Sequence, residues 1–150
     1  MTEDQVNQYH EKVDANIQTF GYHVTFVFAK EHPSFCYSTG IFKTFGIPEI
    51  FISALPQNLS HSLVEAYVNK FRDSLFVQVN TKIDDLTDRF PVYLIDAPIE
   101  NLTEYALSSI RFYQGKPYKY VQLIYPDTAG NFPGEPGYNY DQIIKGEFNF

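Results

Sequence analysis

The spacing of the apolar residues changes at Gly21, and this change limits what the chain can fold into. Before Gly21, apolar residues such as Val13 and Ile17 recur at helical spacing behind the capping-box sequence "TEDQ". After it, "YHVTFVFA" alternates β-branched and aromatic residues between two faces, as a strand does. We therefore expect a helix over residues 3–20 and a strand over residues 22–29.

Both spacings return along the rest of the chain. We expect further strands over residues 35–42, 49–55, 75–79, 91–96 and 118–125, and Gly40 inside the first of them indicates a bulge or a close backbone approach. We expect further helices over 58–72, capped by Asn58 or Ser60, and from Asn101 to Gly115. The order α-β-β-β-α-β-β-α-β is neither a doubly wound alternation nor an all-β pattern. It predicts an α+β fold, with a mostly antiparallel curved sheet or partial barrel and about three helices.

The size and composition of the chain favour one domain over residues 1–150. A chain of 150 residues with 44% hydrophobic residues, including 12 Tyr and 14 Phe, is long enough to bury its own core. Three prolines, Pro126, Pro133 and Pro136, fall among glycines just after the last predicted strand. Residues 126–140 are therefore predicted to form a rigid Pro/Gly-rich loop.

The charge and the cysteine count restrict the partners and the compartment. A net charge of -7 argues against nonspecific binding to nucleic acid or to an anionic membrane, and it favours basic partners. Cys36 is the single cysteine, so no intrachain disulfide can form. The polar N-terminus does not read as a secretory signal, and no apolar run is long enough to span a membrane. We expect a cytoplasmic protein.

The well-characterised catalytic and metal motifs do not occur in the sequence. It has no nucleophile elbow, no phosphate-binding Walker loop and no dinucleotide-binding glycine motif. The four histidines, His10, His23, His32 and His61, lack the spacing of a metal site, and His23 is interpreted as a satisfied sheet histidine. We expect no metal and no cofactor, we assign no catalytic residue, and we favour a protein that is not an enzyme.

The candidate ligand-binding residues are polar side chains at predicted strand ends and turns. They are Tyr37, Ser38, Thr44, Glu49, Arg111, Tyr113, Gln122, Asp127 and Glu135. Tyrosine, arginine and acids on backbone fixed by glycine and proline suit a small polar ligand. The same groups also commonly bind the free amides and carbonyls of loops, so a structural role stays open.

Four segments of the chain match one family in order and spacing. They read "GYHVTFVF", "FCYSTGIFKTFGIPEIFISAL", "RFYQG" and "VQLIYPDTAGNFPGEPGY". Together they resemble the bacterial domain-of-unknown-function family 4262 over roughly residues 10–140. The resemblance implies no activity, because that family has no agreed one.

The resemblance places particular residues at motif positions. These are Tyr37, Gly40, Gly46, Pro48, Glu49, Arg111, Tyr113, Gln122, Pro126, Asp127, Gly130, Pro133, Glu135 and Gly137. The chain also departs from the motifs: Ile47 stands where the family has histidine, and Gly134, Tyr22 and Tyr125 stand where it has tryptophan. The missing histidine weakens an acid–base role at this place.

Three hypotheses about function follow from these features. The first is a domain that binds a small polar or aromatic ligand, nucleotide-like for instance, in a groove between the Tyr37–Glu49 region and the Asp127–Glu135 loop. The second is a protein-interaction module in stress or defence, as a homodimer or with a basic protein. The third is an enzyme that uses Glu49, Asp127 or Glu135 as acid or base, and it requires two of these carboxylates to converge.

Overall fold

The computed structural model of the chain describes residues 2–74 and 76–149 and has an α+β fold, as the sequence predicts. Its helices are α1 (Glu3–Phe20), α2 (Ile41–Phe45), α3 (Gln57–Phe71) and α4 (Leu107–Tyr113), with a 3-10 turn at Ile99–Leu102. Its strands are β1 (His23–Val27), β2 (Phe35–Thr39), β3 (Glu49–Ser53), β4 (Lys82–Ile83), β5 (Val92–Ala97) and β6 (Tyr120–Ile124).

The six strands form one open, mixed sheet in the order β1-β2-β3-β6-β5-β4. Every neighbouring pair is antiparallel except β3 and β6, which run parallel with Glu49 opposite Tyr120. A mostly antiparallel sheet is therefore confirmed, but it contains a parallel pair at its centre. In the described part of the chain the sheet does not close into a barrel, because β1 and β4 stand at its two edges.

The sheet carries a hydrophobic core on each face, because successive strand residues point to opposite sides. Ile50 and Ile52 of β3 pack with α3 on one face. Phe51, between them, packs with Leu102 and Ala106 on the other face. The alternation expected from the sequence therefore places a layer of other elements against both sides of the sheet.

The prediction for α1 is confirmed in detail. The Gln5 amide donates to the Thr2 hydroxyl at 3.1 Å, and the Thr2 amide donates to the Gln5 side chain at 2.9 Å, which completes the capping box. Gly21 ends the helix with φ at 95°, a conformation that favours glycine.

The region around Gly40 differs from the prediction of a strand over residues 35–42. Gly40 is not a bulge: β2 ends at Thr39, and Gly40 is the N-cap of the short helix α2 with φ at 104°. The expected close backbone approach is confirmed, because a Cβ atom at this position would lie 3.1 Å from the Gly21 carbonyl oxygen and 2.9 Å from the Ile17 side chain. The predicted "KTFGIPE" turn is therefore partly helical, and only Gly46, which ends α2, acts as expected. The sequence misleads here because α2 is too short to show helical periodicity.

Other helices and strands also begin or end at residues different from those predicted. Pro56 precedes α3, and no side chain caps that helix, so capping by Asn58 or Ser60 is wrong. Residues 76–79 form no strand, while Leu75 lies outside the described residues, and the short β4 takes the edge position instead. The predicted third helix from Asn101 to Gly115 is divided into the 3-10 turn and α4. No helix among the described residues is long and apolar enough to cross a membrane.

Candidate functional site

Glu49 lies at the start of β3 and is fully buried. Its carboxylate accepts five hydrogen bonds. The Ser38 hydroxyl donates at 2.6 Å, the amides of Gly40, Ile41 and Phe42 donate at 2.9, 3.1 and 3.1 Å, and the Tyr113 hydroxyl donates as well. We call this arrangement the Glu49 centre. It joins β2, α2, β3 and α4 around one carboxylate.

The hydroxyl groups of the Glu49 centre are held in the donor role. The Ser38 oxygen accepts from the Ile50 amide at 2.9 Å, and the Tyr113 oxygen accepts from the Lys43 amide at 3.3 Å, so each hydroxyl hydrogen is free to point at Glu49. Burial raises the pKa of Glu49, and the hydrogen bonds from its donors oppose that rise. Because all five partners donate, the geometry fits the ionised carboxylate.

The Glu49 centre is closed. Burial also raises the pKa of Tyr113, and Glu49 does not line any of the five clefts we find among the described residues. Five donors satisfy a carboxylate fully, so the centre can fix α2 and α4 against the sheet. Four of the predicted site residues therefore meet here or beside it: Ser38, Glu49 and Tyr113 in the centre, and Tyr37, whose hydroxyl accepts from the Ser108 amide at 3.1 Å.

Two further predicted residues lie near the Glu49 centre without joining it. The Thr44 hydroxyl donates to the Gly21 carbonyl at 2.6 Å and so ties α2 to the end of α1. Arg111 forms a salt bridge to Asp14 of α1 at 2.7 Å. Each of them connects two helical segments.

Gln122 lies in the middle of β6 and is fully buried. Its side-chain oxygen accepts from the Lys145 amide at 2.7 Å, and its side-chain nitrogen donates to the Ile143 carbonyl. This residue of the predicted site therefore binds the backbone of the chain's own C-terminal segment.

Asp127 and Glu135 engage backbone amides of their own surroundings. Asp127 accepts from the amides of Ala129, Asn131 and Asn139 at 3.0, 2.9 and 3.0 Å. Glu135 accepts from the Phe132 amide at 2.7 Å. The two carboxylates hold the loop in shape, and they supply no converging pair of the kind that the enzyme hypothesis needs.

The structure separates the predicted site residues into two groups. Glu49 is paired with Tyr120 at the start of β6, whereas Asp127 follows the end of that strand. The strand β6, about 13 Å of extended chain, lies between them, so the Glu49 and Asp127 regions lie at opposite ends of the sheet. The structure does not bring them together around one groove.

An open cleft lies instead at the edge of the sheet. It has a volume of about 470 Å³ and is lined by residues of α1, β1 and α3, including Tyr9, Asn16, His23, Val24 and His61. Because His23 and Val24 point to opposite faces of β1, the cleft runs over the free edge of that strand. We call it the His23 cleft.

His23 is the buried member of this cleft. Asn16 donates its side-chain amide to His23 Nδ1 at 2.9 Å, so Nε2 carries the hydrogen and donates to the Tyr9 hydroxyl at 3.1 Å. The Tyr9 hydroxyl also lies 2.7 Å from the Thr25 hydroxyl, with which it forms a hydrogen bond. Burial, together with the charges of Lys12 and His61, lowers the pKa of His23 to about 4.

The lining of the His23 cleft differs in charge from the rest of this acidic protein. It includes Lys12, His23 and His61 and, among the described residues, no carboxylate. The four other clefts each include an aspartate: Asp96 in two of them, Asp88 in the third and Asp141 in the fourth. Among these five clefts, the His23 cleft is the one whose described lining has no acid.

None of the nine predicted site residues lines the His23 cleft. The sequence analysis did not predict this cleft, although the family-like segment "GYHV" contains three of its lining residues, Tyr22, His23 and Val24. Lys12 and His61 carry no such signal, because they stand on the polar sides of two separate helices. Among residues 2–74 and 76–149, no group of histidines, cysteines and acids is arranged to hold a metal ion.

The open mixed sheet, the closed Glu49 centre and the cleft at its edge define a small α+β domain. The chain belongs to the family described as Domain of unknown function (DUF4262), which matches residues 16–139. This match confirms the resemblance seen in the four segments. No curated protein and no solved structure shows significant similarity to the chain.

Proposed function

We propose that the protein binds a small ligand in the His23 cleft, and that the ligand joins an anionic group to an aromatic or apolar ring. The observation that carries the proposal is the charge of the lining, with Lys12 and His61 beside His23 and no carboxylate among the described lining residues. An anion in this cleft meets the Lys12 ammonium and the hydrogen-bond donors of the lining, and the described lining residues include no carboxylate.

The rest of the lining suits the aromatic or apolar ring of the proposed ligand. Tyr22 and Phe26 line the same cleft, and Phe20 at its border is 68% exposed. Aromatic side chains offer a large apolar contact area to a planar ligand. The volume of about 470 Å³ lies within the range of roughly 300–1,000 Å³ usual for small-molecule sites.

The proposal includes a bacterial, cytoplasmic setting. It is supported by the family resemblance and by the single cysteine, Cys36, which is buried; burial raises the pKa of its thiol to about 12. Such a thiol is unreactive and needs no disulfide partner.

A binding screen with the full chain tests the function. Aromatic carboxylates and nucleoside monophosphates form two arms, and the matched neutral amides and nucleosides serve as controls that lack the anion. We expect a member of one anionic arm to raise the melting temperature and to shift the NMR signals of residues that line the cleft. The arm that responds identifies the anion as carboxylate or phosphate.

The variant Lys12→Ala should weaken that binding about five- to tenfold, because it removes one charged contact. Lys116→Ala is the matched control, since Lys116 is also exposed and does not line the cleft. If no anionic compound binds better than its neutral counterpart, or if Lys12→Ala leaves the affinity unchanged, the proposal is wrong.

A further inference from the structure

The His23 cleft continues along β1 into a second cleft. This second cleft has a volume of about 400 Å³ and is lined mainly by apolar residues, with Phe28 and Leu55 among them. Phe26 of β1 and Gln57 at the start of α3 line both clefts, so the two form one groove. We call the second part the Phe28 cleft and the whole the β1 groove.

The free edge of β1 lies along this groove. Among residues 2–74 and 76–149, β1 has a strand neighbour on its β2 side and none on the other side. In an antiparallel pair every second residue turns its amide and carbonyl away from the partner strand, so β1 presents backbone hydrogen-bonding groups along this edge. An extended peptide that lies beside such an edge forms main-chain hydrogen bonds with it.

The charges at the two ends of the β1 groove have opposite signs. Lys12 lines the His23 cleft, whereas Asp141 lines the Phe28 cleft, whose described lining residues include no lysine, arginine or histidine. Between these ends, the four residue steps of β1 span about 13 Å. A free peptide of four or five residues has about this length, and it carries a carboxylate at one end and an ammonium at the other.

The two sides of the β1 groove differ in polarity. Towards α3, Phe26 packs with the core, and its ring centroid lies 4.7 Å from that of Phe28, which is 75% exposed. Towards α1, His23 and Thr25 form hydrogen bonds with the Tyr9 hydroxyl. Side chains of a paired strand alternate in the same way, so this groove favours a peptide in which apolar residues on the α3 side alternate with polar residues on the α1 side.

We propose that the ligand of the His23 cleft is a free peptide of four or five residues, bound as an additional strand on the edge of β1. Its terminal carboxylate lies beside Lys12 and its terminal ammonium beside Asp141. Because β1 runs from the His23 cleft to the Phe28 cleft, the peptide runs antiparallel to β1, which is the more stable pairing. This proposal rests on the proposed function, and it identifies the anion of the ligand as a carboxylate.

Calorimetric titration of the full chain tests the length and the two termini of the ligand. The tetrapeptide Ser-Leu-Ser-Phe should bind at least about tenfold more tightly than 3-phenylpropanoate, which has the same ring and carboxylate without the peptide backbone. The C-terminal amide of the tetrapeptide should lose at least about tenfold in affinity. N-acetylation should cost about threefold, because Asp141 is exposed, and this loss should disappear in Asp141→Asn.

Backbone methylation tests the strand pairing. Adjacent amides of a strand point to opposite sides, so only one of two neighbouring amides in the peptide donates to β1. Of two tetrapeptides that are N-methylated at the second or at the third residue, one should lose at least about tenfold in affinity and the other less than about threefold. The isomer Ser-Ser-Leu-Phe, which keeps the composition and both termini but breaks the alternation, should bind about fivefold more weakly. Equal losses for the two methylated peptides would contradict the strand pairing.

A protein variant tests the far end of the groove. Phe28→Ala should weaken binding of the tetrapeptide about fivefold and leave binding of 3-phenylpropanoate unchanged, because only the peptide extends into the Phe28 cleft. Phe76→Ala is the matched control, since Phe76 is 77% exposed and lines neither cleft. Equal effects of the two variants on the tetrapeptide would contradict the proposed position of the peptide.

The results distinguish the peptide from the proposed function. If 3-phenylpropanoate or a nucleoside monophosphate binds in a manner that depends on Lys12, but the tetrapeptide binds no more tightly than 3-phenylpropanoate, the peptide is wrong and the proposed function stands. If the acetylated tetrapeptide binds as tightly as the free one, the ligand is the C-terminal tail of a protein and not a free peptide. If the amidated tetrapeptide binds as tightly as the free acid, the peptide and the proposed function are both wrong.

Discussion

The Glu49 centre and the His23 cleft each surround one titratable side chain with hydrogen bonds, yet only the cleft is open. Three of the five donors to Glu49 are backbone amides of Gly40, Ile41 and Phe42, which can move only if α2 moves. All partners of His23 are side chains, Tyr9 and Asn16, which can rotate when a ligand arrives. Fixed backbone donors therefore suit a structural role, and adaptable side-chain partners suit binding.

The largest expected effect of a single change is at the Glu49 centre. In Glu49→Gln the side-chain amide must direct its hydrogens at groups that themselves donate, so we expect a loss of about 3–5 kcal/mol in the free energy of unfolding. Urea denaturation measures it. Glu135→Gln is the matched control, with an expected loss below about 1 kcal/mol, because that carboxylate is exposed and accepts a hydrogen bond from the Phe132 amide of its own loop. Similar losses for both variants would show that the buried Glu49 contributes no more to stability than the exposed Glu135.

The second effect is a pH dependence at the His23 cleft. The pKa of His23 is lowered to about 4 in the folded chain, against an ordinary value of 6.5. Above pH 6.5 the ring is neutral in both states, so its contribution to stability is complete. As the pH falls from 6.5 to 4 the unfolded state takes up the proton first, and stability decreases by at most about 3 kcal/mol.

Urea denaturation at several pH values measures this slope. In the variant His23→Gln the slope between pH 6.5 and 4 should become flatter, while His32→Gln, which changes an exposed histidine elsewhere, should keep it. An unchanged slope in His23→Gln would mean that the ring is not held neutral by its surroundings.

A smaller effect is expected at Asp127, which binds backbone amides as Glu49 does but holds only a loop. Asp127→Asn keeps one carbonyl oxygen for part of the network and turns an amide group toward the remaining donors. We expect a loss of about 1–2 kcal/mol by chemical denaturation. A loss as large as that of Glu49→Gln would show that the loop supports the whole fold.

The smallest effect is expected for the salt bridge between Asp14 and Arg111. Asp14→Asn should cost less than about 1 kcal/mol, because Asp14 is half exposed and solvent screens the pair. The loss should shrink further at high salt. A salt-independent loss above that size would indicate that the ion pair positions α1, and with it one wall of the His23 cleft.

Much of the fold follows from the sequence because long amphipathic elements carry their own signals. α1 has a capping box, an apolar stripe and a glycine stop, and each lies where the spacing places it. Gly40 shows the limit: a glycine after an apolar strand fits a bulge as well as the start of a helix. What decides between them is Glu49, nine residues later, which binds the amides of α2.

The candidate site was less predictable from the sequence, because contacts between distant residues decide it. Glu49 begins a strand and Asp127 follows one, whereas Tyr37 and Gln122 lie in the middle of strands. In all of these places polar groups bind backbone groups as readily as ligands, and only the distances decide. The His23 cleft is lined by α1 and α3 across the edge of β1, and no local sequence pattern predicts that Lys12 and His61 line the same cleft. Long-range placement of this kind depends on the tertiary fold.

The parallel pairing of β3 with β6 joins two halves of the chain. β1, β2 and β3 form a meander within the first half of the chain, and β4, β5 and β6 form a second one within the other half. The two meanders meet along a single line where Glu49 faces Tyr120, about seventy residues later. Tyr113 reaches from the second half into the Glu49 centre of the first. One buried carboxylate therefore contacts both halves of the chain, with four donors from the first half and one from the second.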